Sequence, residues 1–170
     1  MDDIIVGQTG RIFLRQFVAG DGLHFFRLNA DQEVLKYTGD QAFGTIEEAY
    51  EFIRNYDAYE KDGMGRWAVI SKEKGEFLGW CGLKKHKEGW VDLGFRFHQA
   101  HWGKGYATES AMLALQIGFE ELKLNKVIGR AMTANGASIR VLEKIGMKWK
   151  REERVEGLGK AQIYEIEKPD

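Results

Sequence analysis

A glycine-rich turn between a strand and a helix constrains this chain more than any other feature. It reads Trp102-Gly103-Lys104-Gly105-Tyr106-Ala107-Thr108-Glu109, follows the strand-like run Trp90 to His98, and opens an apolar-periodic helix. Glycines at such a junction let the backbone come close to a ligand and leave free N–H groups pointing outward. The helix N-terminus adds its dipole, so the natural guest is a phosphate or pyrophosphate. The Gly-Lys pair lacks the GxxxxGK[ST] spacing of a P-loop.

A second segment, Asn135-Gly136-Ala137-Ser138-Ile139-Arg140-Val141-Leu142-Glu143-Lys144-Ile145-Gly146-Met147, follows the next strand-like run, Lys126 to Ala131. Upstream lies Asp92-Leu93-Gly94-Phe95, with seven residues between Gly94 and Trp102. Together these segments resemble the GNAT N-acetyltransferase superfamily, and within it the ribosomal-protein N-acetyltransferase-like (RimJ/RimL-like) branch. The branch pattern is Glu-Ile-Gly-Tyr, seven residues, Trp-Gly-Lys-Gly-Tyr-Ala-Thr-Glu, then Asn-x-x-Ser and a Lys-x-Gly-Phe helix end. The resemblance runs from about Arg11 to Glu167 in element order and is sharp from Asp92 to Met147.

Length and composition bound the remaining possibilities. A chain of 170 residues with 44% hydrophobic content suits a single domain, residues 1–170, with a substantial core. Lys and Arg number 25 against 26 Asp and Glu, a balance that argues against a general nucleic-acid surface. The lone cysteine, Cys81, leaves no internal disulfide framework. No apolar run approaches membrane-spanning length and no apolar leader follows Met1-Asp2-Asp3, so the expected location is cytoplasmic, away from membranes.

Periodicity gives the element order. Arg11 to Phe17 alternates as a first strand, and Asp21 to Asn29 and Glu33 to Tyr37 read as short helical pieces. Thr45-Ile46-Glu47-Glu48 is a capping-box pattern opening a helix that Gly63 and Gly65 break. Trp67 to Ser71 and Glu76 to Leu83 form a hairpin turning near Lys74-Gly75. In the next strand Val91, Leu93, Phe95 and Phe97 share an apolar face, with Asp92, Gly94, Arg96 and His98 opposite. A helix over Lys104 to Leu122, a strand, a helix from Ala137 to Ile145 stopped by Gly146, and a closing hairpin around Gly157-Leu158-Gly159 complete the chain. This order predicts an α+β fold, a mixed, mostly antiparallel sheet of about seven strands flanked by about four helices.

The resemblance implies an acetyl-coenzyme A-dependent N-acetyltransferase acting without a metal, and it assigns roles to particular residues. Gly103, Lys104, Gly105, Tyr106, Ala107 and Thr108 would hold the coenzyme A pyrophosphate. The pantetheine arm would lie along the strand of Phe95 and Phe97, splayed at a Gly94 bulge, with N–H groups near Phe95 polarising the thioester carbonyl. Asn135 matches the asparagine that binds the pantetheine amides, and it also suits an N-cap. Ser138 matches a serine near the coenzyme sulfur. A serine hydroxyl titrates far from neutrality, so it is better suited to hydrogen-bond the leaving thiolate than to protonate it.

Asp92 occupies the place of the branch glutamate. It reads equally as a base acting through water or as an ion-pair partner of Arg96 on the same strand face. Arg140 and Lys144 reach toward a 3′-phosphate or are simply solvated. His98 and His101 are spaced as HxxH without further ligands, so no metal site is expected. Cys81, between Trp80 and Gly82, has the setting of a buried cysteine rather than an acetylated nucleophile, which favours direct transfer in a ternary complex. The Lys84-Lys85-His86-Lys87 run reads as a solvated hairpin end.

The acceptor cleft in the family lies between the early helices and the closing hairpin, here Glu33 to Tyr37 and Gly157 to Lys160, with Tyr37 and Trp67 as lining. The branch implies a protein or peptide N-terminus as acceptor. A small amine (polyamine, amino acid or antibiotic) is the alternative, and a non-catalytic acyl-coenzyme A sensor is a third reading. A homodimer is common in the branch.

Overall fold

The computed structural model describes residues 2–170, and its framework is one eight-stranded sheet in the order β1-β2-β3-β4-β5-β6-β8-β7. The strands are β1 (Ile5–Gln8), β2 (Ile12–Arg15), β3 (Arg66–Ser71), β4 (Phe77–Lys85), β5 (Val91–Phe97), β6 (Lys126–Met132), β7 (Lys148–Val155) and β8 (Gly159–Glu167). The helices are α1 (Asp21–Leu28), α2 (Gln32–Leu35), α3 (Ile46–Arg54), α4 (Ala58–Asp62), α5 (Tyr106–Gln116) and α6 (Gly136–Lys144). This is the expected mixed α+β sheet, with β1 as the strand the alternation pattern did not predict.

Side-chain alternation divides the core between the two sheet faces. Trp67 and Val69 of β3 pack with Cys81 and Leu83 of β4 and Leu93 and Phe97 of β5 beneath Ala111, Ala114 and Leu115 of α5. Ala68 and Ile70, one residue out of phase, face Phe25 of α1 and Ala49 and Ile53 of α3. The helices therefore cover both faces. α1 is tied to β2 by a buried bidentate pair, Arg15 Nη1 to Asp21 Oδ2 at 2.7 Å and Nη2 to Oδ1 at 2.9 Å. The Asp21 carboxylate also accepts the Val18 N–H at 2.9 Å, fixing the turn into the helix.

The helix starts follow their sequence signals. Thr45 Oγ1 accepts the Glu48 N–H at 3.3 Å, while Glu48 Oε2 reaches back to the Gly44 N–H at 2.8 Å, one residue ahead of the cap. The helix predicted to run to Gly63 instead ends at Arg54, and the separate turn α4 ends on Gly63 in the left-handed region. The next predicted helix begins at Tyr106 rather than Lys104, because Gly105 takes φ +81° as its cap. Its last turn widens to a π-helical turn over Ile117–Glu121.

One pairing decides where a ligand can enter. β5 and β6 are parallel, joined by the α5 crossover, and their register holds only at Asp92↔Ile128 and Leu93↔Gly129. Beyond that point Gly94–Phe97 and Arg130–Met132 diverge. β5 remains paired with β4 from Val91 to Phe97, and β6 with β8 throughout. The expected bulge at Gly94 is absent: the β4–β5 register runs unbroken through Gly82↔Gly94. The splay arises from β6 leaving with β8, not from a kink in β5.

Candidate active site

The diverging strands open a cleft of about 830 Å³, walled by β5, β6, the Gly103–Thr108 turn, α6 and α2. On the β5 side, His98 N–H bonds Leu78 O of β4 at 3.1 Å. Edge groups alternate along a strand, so the N–H and C=O of Phe95 and Phe97 face the other way, into the splay. Trp102 Nε1 takes the Phe97 carbonyl at 2.9 Å. The Phe95 N–H and C=O and the Phe97 N–H are left as an open strand edge, the element needed to pair with an extended amide-bearing chain.

At the far end the turn presents donors. Gly103 (φ +72°) and Gly105 (φ +81°) adopt the left-handed conformation that glycine permits. The first intrahelical bond is Glu109 N–H to Gly105 O at 3.0 Å, so the N–H groups of Tyr106, Ala107 and Thr108 stay free at the N-terminus of an 11-residue helix. Gly103, Gly105, Tyr106, Ala107 and Thr108 all line the cleft, but Lys104 does not. Its side chain is exposed and its carbonyl is taken by Arg11 Nη1 at 3.0 Å. Arg11 also stacks over the Tyr106 ring at 4.4 Å and pairs with Glu109, bracing the turn from the residue just before β2. Arg140 and Lys144 line the cleft from α6.

Ser138 and Asn135 meet at the start of α6. Asn135 Oδ1 accepts the Ser138 N–H at 3.3 Å, and Asn135 Nδ2 donates to Ser138 Oγ at 3.0 Å. The amide orientation follows from the chemistry, because a main-chain N–H only donates. The Ser138 hydroxyl therefore accepts from Asn135 and keeps its own hydrogen for another partner in the cleft. The Asn135 main-chain N–H is bonded to Met132 O at 2.8 Å, so what it offers a ligand is its second Nδ2–H.

Asp92 is an ion-pair partner, but not of Arg96. Its expected partner Arg96 turns instead to Asn29 Oδ1 at 2.9 Å and Asp40 Oδ2 at 2.6 Å. Asp92 Oδ1 lies 2.6 Å from Arg66 Nη2, an ion-pair contact without hydrogen-bond angles, and Oδ2 lies 2.7 Å from His86 Nε2. Arg66 reaches Asp92 by crossing two glycines that face each other, Gly82 and Gly94. A Cβ on Gly94 would stand 2.7 Å from Nη2 and 2.8 Å from Cζ, so this glycine makes room for a guanidinium. The main chain of Arg66 is held in turn by two phenols: Tyr56 OH accepts its N–H at 2.7 Å and Tyr59 OH donates to its carbonyl. Nothing local in the sequence marks Arg66, since its role depends on two glycines distant in the chain.

Burial and the lining of the cleft place several other residues. Trp67 is 3% exposed in the core and does not line the cleft, where Trp80 does. Tyr37 lines it as expected, and of Gly157 to Lys160 only Leu158 does. Cys81 is fully buried, and burial pushes its thiol up to about 12. A thiol so protonated is a poor nucleophile near neutral pH. Lys84, Lys85 and Lys87 are solvated, but His86 turns inward. Among the described residues no three His, Cys, Asp or Glu side chains are grouped as metal ligands, and no helix is long and apolar enough to cross a membrane.

A strand edge opened by a splay and closed by a glycine turn at a helix N-terminus is the arrangement the sequence resemblance implied, and the family model for the acetyltransferase (GNAT) domain matches residues 11–148. The chain belongs to the GNAT acetyltransferases. It is 30% identical to the uncharacterized N-acetyltransferase YnaD of Bacillus subtilis over 141 residues, covering 82% of this chain and 81% of that one. It is 39% identical to the uncharacterized protein YkkB of the same organism over 101 residues, 58% of this chain, and spans 57% of that protein's length. The GNAT-family acetyltransferase structure from Bacillus anthracis superimposes with a TM-score of 0.83 at 26% identity, over 98% of this chain and 99% of that one. Spermidine N-acetyltransferase from Vibrio cholerae, solved with CoA and spermine, shares the fold at a TM-score of 0.81 and 17% identity, over 94% of this chain and 97% of that one. This GNAT protein is an acetyl-coenzyme A-dependent N-acetyltransferase. Its residues suit that cosubstrate: an unanswered strand edge for amides, free N–H groups for a pyrophosphate, and cations on α6 for a phosphate.

Proposed function

We propose that the protein acetylates the α-amine of a protein or peptide, by direct transfer in a ternary complex. The observation that carries this reading is the charge of the cleft. Its lining includes Lys36, Arg66, Arg96, Arg130, Arg140 and Lys144 against the carboxylates Glu33 and Asp92. Arg66 pairs with Asp92, Arg96 with Asp40, and Arg140 and Lys144 suit the coenzyme phosphate, which leaves Lys36 and Arg130 against Glu33. A cationic wall disfavours an ammonium ion, and the nucleophile must be a neutral amine. Free α-amines titrate near 8 and lysine or polyamine-type amines near 10.4, so neutralising the latter at one pH costs about 3 kcal/mol more. A site with this balance suits the amine that gives up its proton more readily and repels a polycation.

Bound acetyl-coenzyme A supplies the activated acyl group, and this chain's residues do the rest. The free edge at Phe95 and Phe97 binds the amide arm, and the Phe95 N–H stands as the donor for developing negative charge on the acyl oxygen. Gly103, Gly105, Tyr106, Ala107 and Thr108 bind the pyrophosphate through main-chain groups. Asn135 contributes its remaining Nδ2–H. Asp92 takes the amine proton, through a water where distance requires, and the Ser138 hydroxyl, keeping its proton, would donate a hydrogen bond to the departing thiolate. The inert Cys81 leaves the amine itself as the attacking group. Initial-rate kinetics with both substrates varied test the order of events: intersecting double-reciprocal lines are expected. Parallel lines, together with an acetylated enzyme captured without acceptor, would replace direct transfer by a covalent intermediate.

A further inference from the structure

We infer that His86 is a positioning residue for the proton-accepting carboxylate: its ring N–H fixes Asp92, and its protonation withdraws Asp92 from proton transfer. This rests on the assignment of Asp92 as proton acceptor. The imidazole is held where it is by more than one contact. The turn after β4 bonds His86 N–H to Trp90 O at 2.8 Å and Gly89 N–H to His86 O at 2.9 Å. The ring lies flat on the Trp90 indole, centroids 3.6 Å apart and planes 10° from parallel. Trp90 is 40% exposed, and covering the imidazole gives this surface indole a defined task. The ring so fixed directs Nε2 at Asp92 Oδ2, 2.7 Å away.

Asp92 is one residue before the last register pair, Leu93↔Gly129, so its carboxylate lies beside the apex where β5 and β6 part. Arg66 contacts one oxygen and His86 the other, and only Asp92 and Arg66 of the three line the cleft. His86 thus approaches from behind. An ionised Asp92 requires the Nε2–H form of the ring, because an imidazole lone pair facing a carboxylate oxygen at 2.7 Å is repulsive. With the ring neutral, Asp92 has one permanent cation beside it and accepts the amine proton: the N–H bond of the ammonium breaks and an O–H bond forms. With the ring protonated, a second cation faces the carboxylate and opposes that transfer.

The other charged groups around the pair are fixed or distant. Lys84 stands opposite Asp92 on β4 but is exposed. Lys85, Lys87 and Glu88 lie on the solvated turn. On β6 the register partner is Ile128, flanked by Lys126, which pairs with Glu165, and by Arg130 in the cleft wall. None is placed to replace an imidazole on Oδ2.

The test is the pH profile of kcat/KM for a peptide acceptor, each variant normalised to its own plateau. His86→Gln keeps a side-chain N–H donor and cannot charge. Its acid limb should move to lower pH by at least about half a unit, while His86→Ala should lose about tenfold or more in kcat at the plateau with little change in KM for acetyl-coenzyme A. Partial recovery of the His86→Ala loss in His86→Gln is expected. A His86→Gln profile superimposed on wild type, or His86→Ala with wild-type kcat, overturns the proposal. Asp92→Asn separates the two claims: if it stays fully active, the proton-acceptor assignment fails. In that case the imidazole ¹⁵N signals of His86 in wild type and Asp92→Asn still report whether the Nε2–H is bound to the carboxylate.

Discussion

Gly94→Ala places one methyl group where the structure has a guanidinium. The backbone at Gly94 does not require glycine, so alanine meets no torsional penalty there. The added Cβ would lie 2.7 Å from Arg66 Nη2, 2.8 Å from Cζ and 3.1 Å from Nη1. Ordinary contact needs about 3.4 Å or more, so the guanidinium must retreat by about 0.7 Å. That displacement falls on the 2.6 Å contact to Asp92 and on the 2.9 Å bond from Nη1 to the Gly82 carbonyl. Loosening one charge-assisted bond costs about 1.5–3 kcal/mol in place. The end of a long side chain can partly re-pack, so the loss of global stability should stay near 1 kcal/mol, about 2–4 °C in Tm. Catalysis should suffer more, because misplacing a reacting group by a fraction of an ångström to 1 Å costs up to about 100-fold. The expected kcat/KM is about 10- to 100-fold below the parent, with binding of coenzyme A measured by calorimetry within about threefold. Steady-state kinetics beside thermal melts in the parent and in an Arg66→Ala background read this out. If the methyl acts through Arg66, it should add little in the second background. Near-parental kcat/KM for Gly94→Ala, or the same fold-loss in both backgrounds, would mean that Gly94 does not act by making room for Arg66.

Other consequences follow from the same contacts. Ser138→Ala should lower kcat about 10- to 100-fold with KM for acetyl-coenzyme A nearly unchanged, and steady-state rates check it. Its melting point should hardly move, because the Asn135 cap onto the residue-138 N–H survives. Asp21→Asn should cost about 3–5 kcal/mol in denaturant unfolding, since Asp21 is 1% exposed and its loss of charge leaves Arg15 buried without its bidentate partner. His24 and His98 are both held below the ordinary imidazole value of 6.5, chiefly by burial. The unfolded chain then binds these protons more readily, so their contribution to stability is present above 6.5 and is lost as pH falls from 6.5 through the lower folded values. Tm should drop across that window, and less so in His98→Asn; an equal drop in both proteins would remove His98 from the account.

Legibility divided along physical lines. Local signals were readable: Thr45 and Asn135 cap their helices as their residue types demand, and β3 to β5 and the closing hairpin follow their alternation. β1 was not, because four residues with a bulge between Ile5 and Gly7 give no period to detect. α4 is five residues long and carries no stripe. In the cleft wall, residues clustered in the chain stand where the sequence put them, namely the Gly103–Thr108 turn apart from Lys104 and the Asn135–Ser138 pair. What escaped was every relation across strands. Arg66 serves Asp92 from 26 positions away over Gly82 and Gly94. His86, inside a run of lysines, turns inward only because Trp90 supports it. Arg96 is in register with Trp80 and pairs with Asp40, so sharing a strand face with Asp92 did not make them partners. Such contacts depend on sheet register, which the sequence encodes only in its tertiary pairing.

We propose that this cleft transfers an acetyl group from acetyl-coenzyme A to an α-amine. Mass spectrometry of a competition mixture at neutral pH, holding peptides of varied N-terminal residue beside spermidine and free amino acids, tests it most directly. Acetylation is expected at peptide N-termini, with kcat/KM for the best peptide about tenfold or more above that for any polyamine. Product confined to polyamines, with peptides untouched, would contradict it.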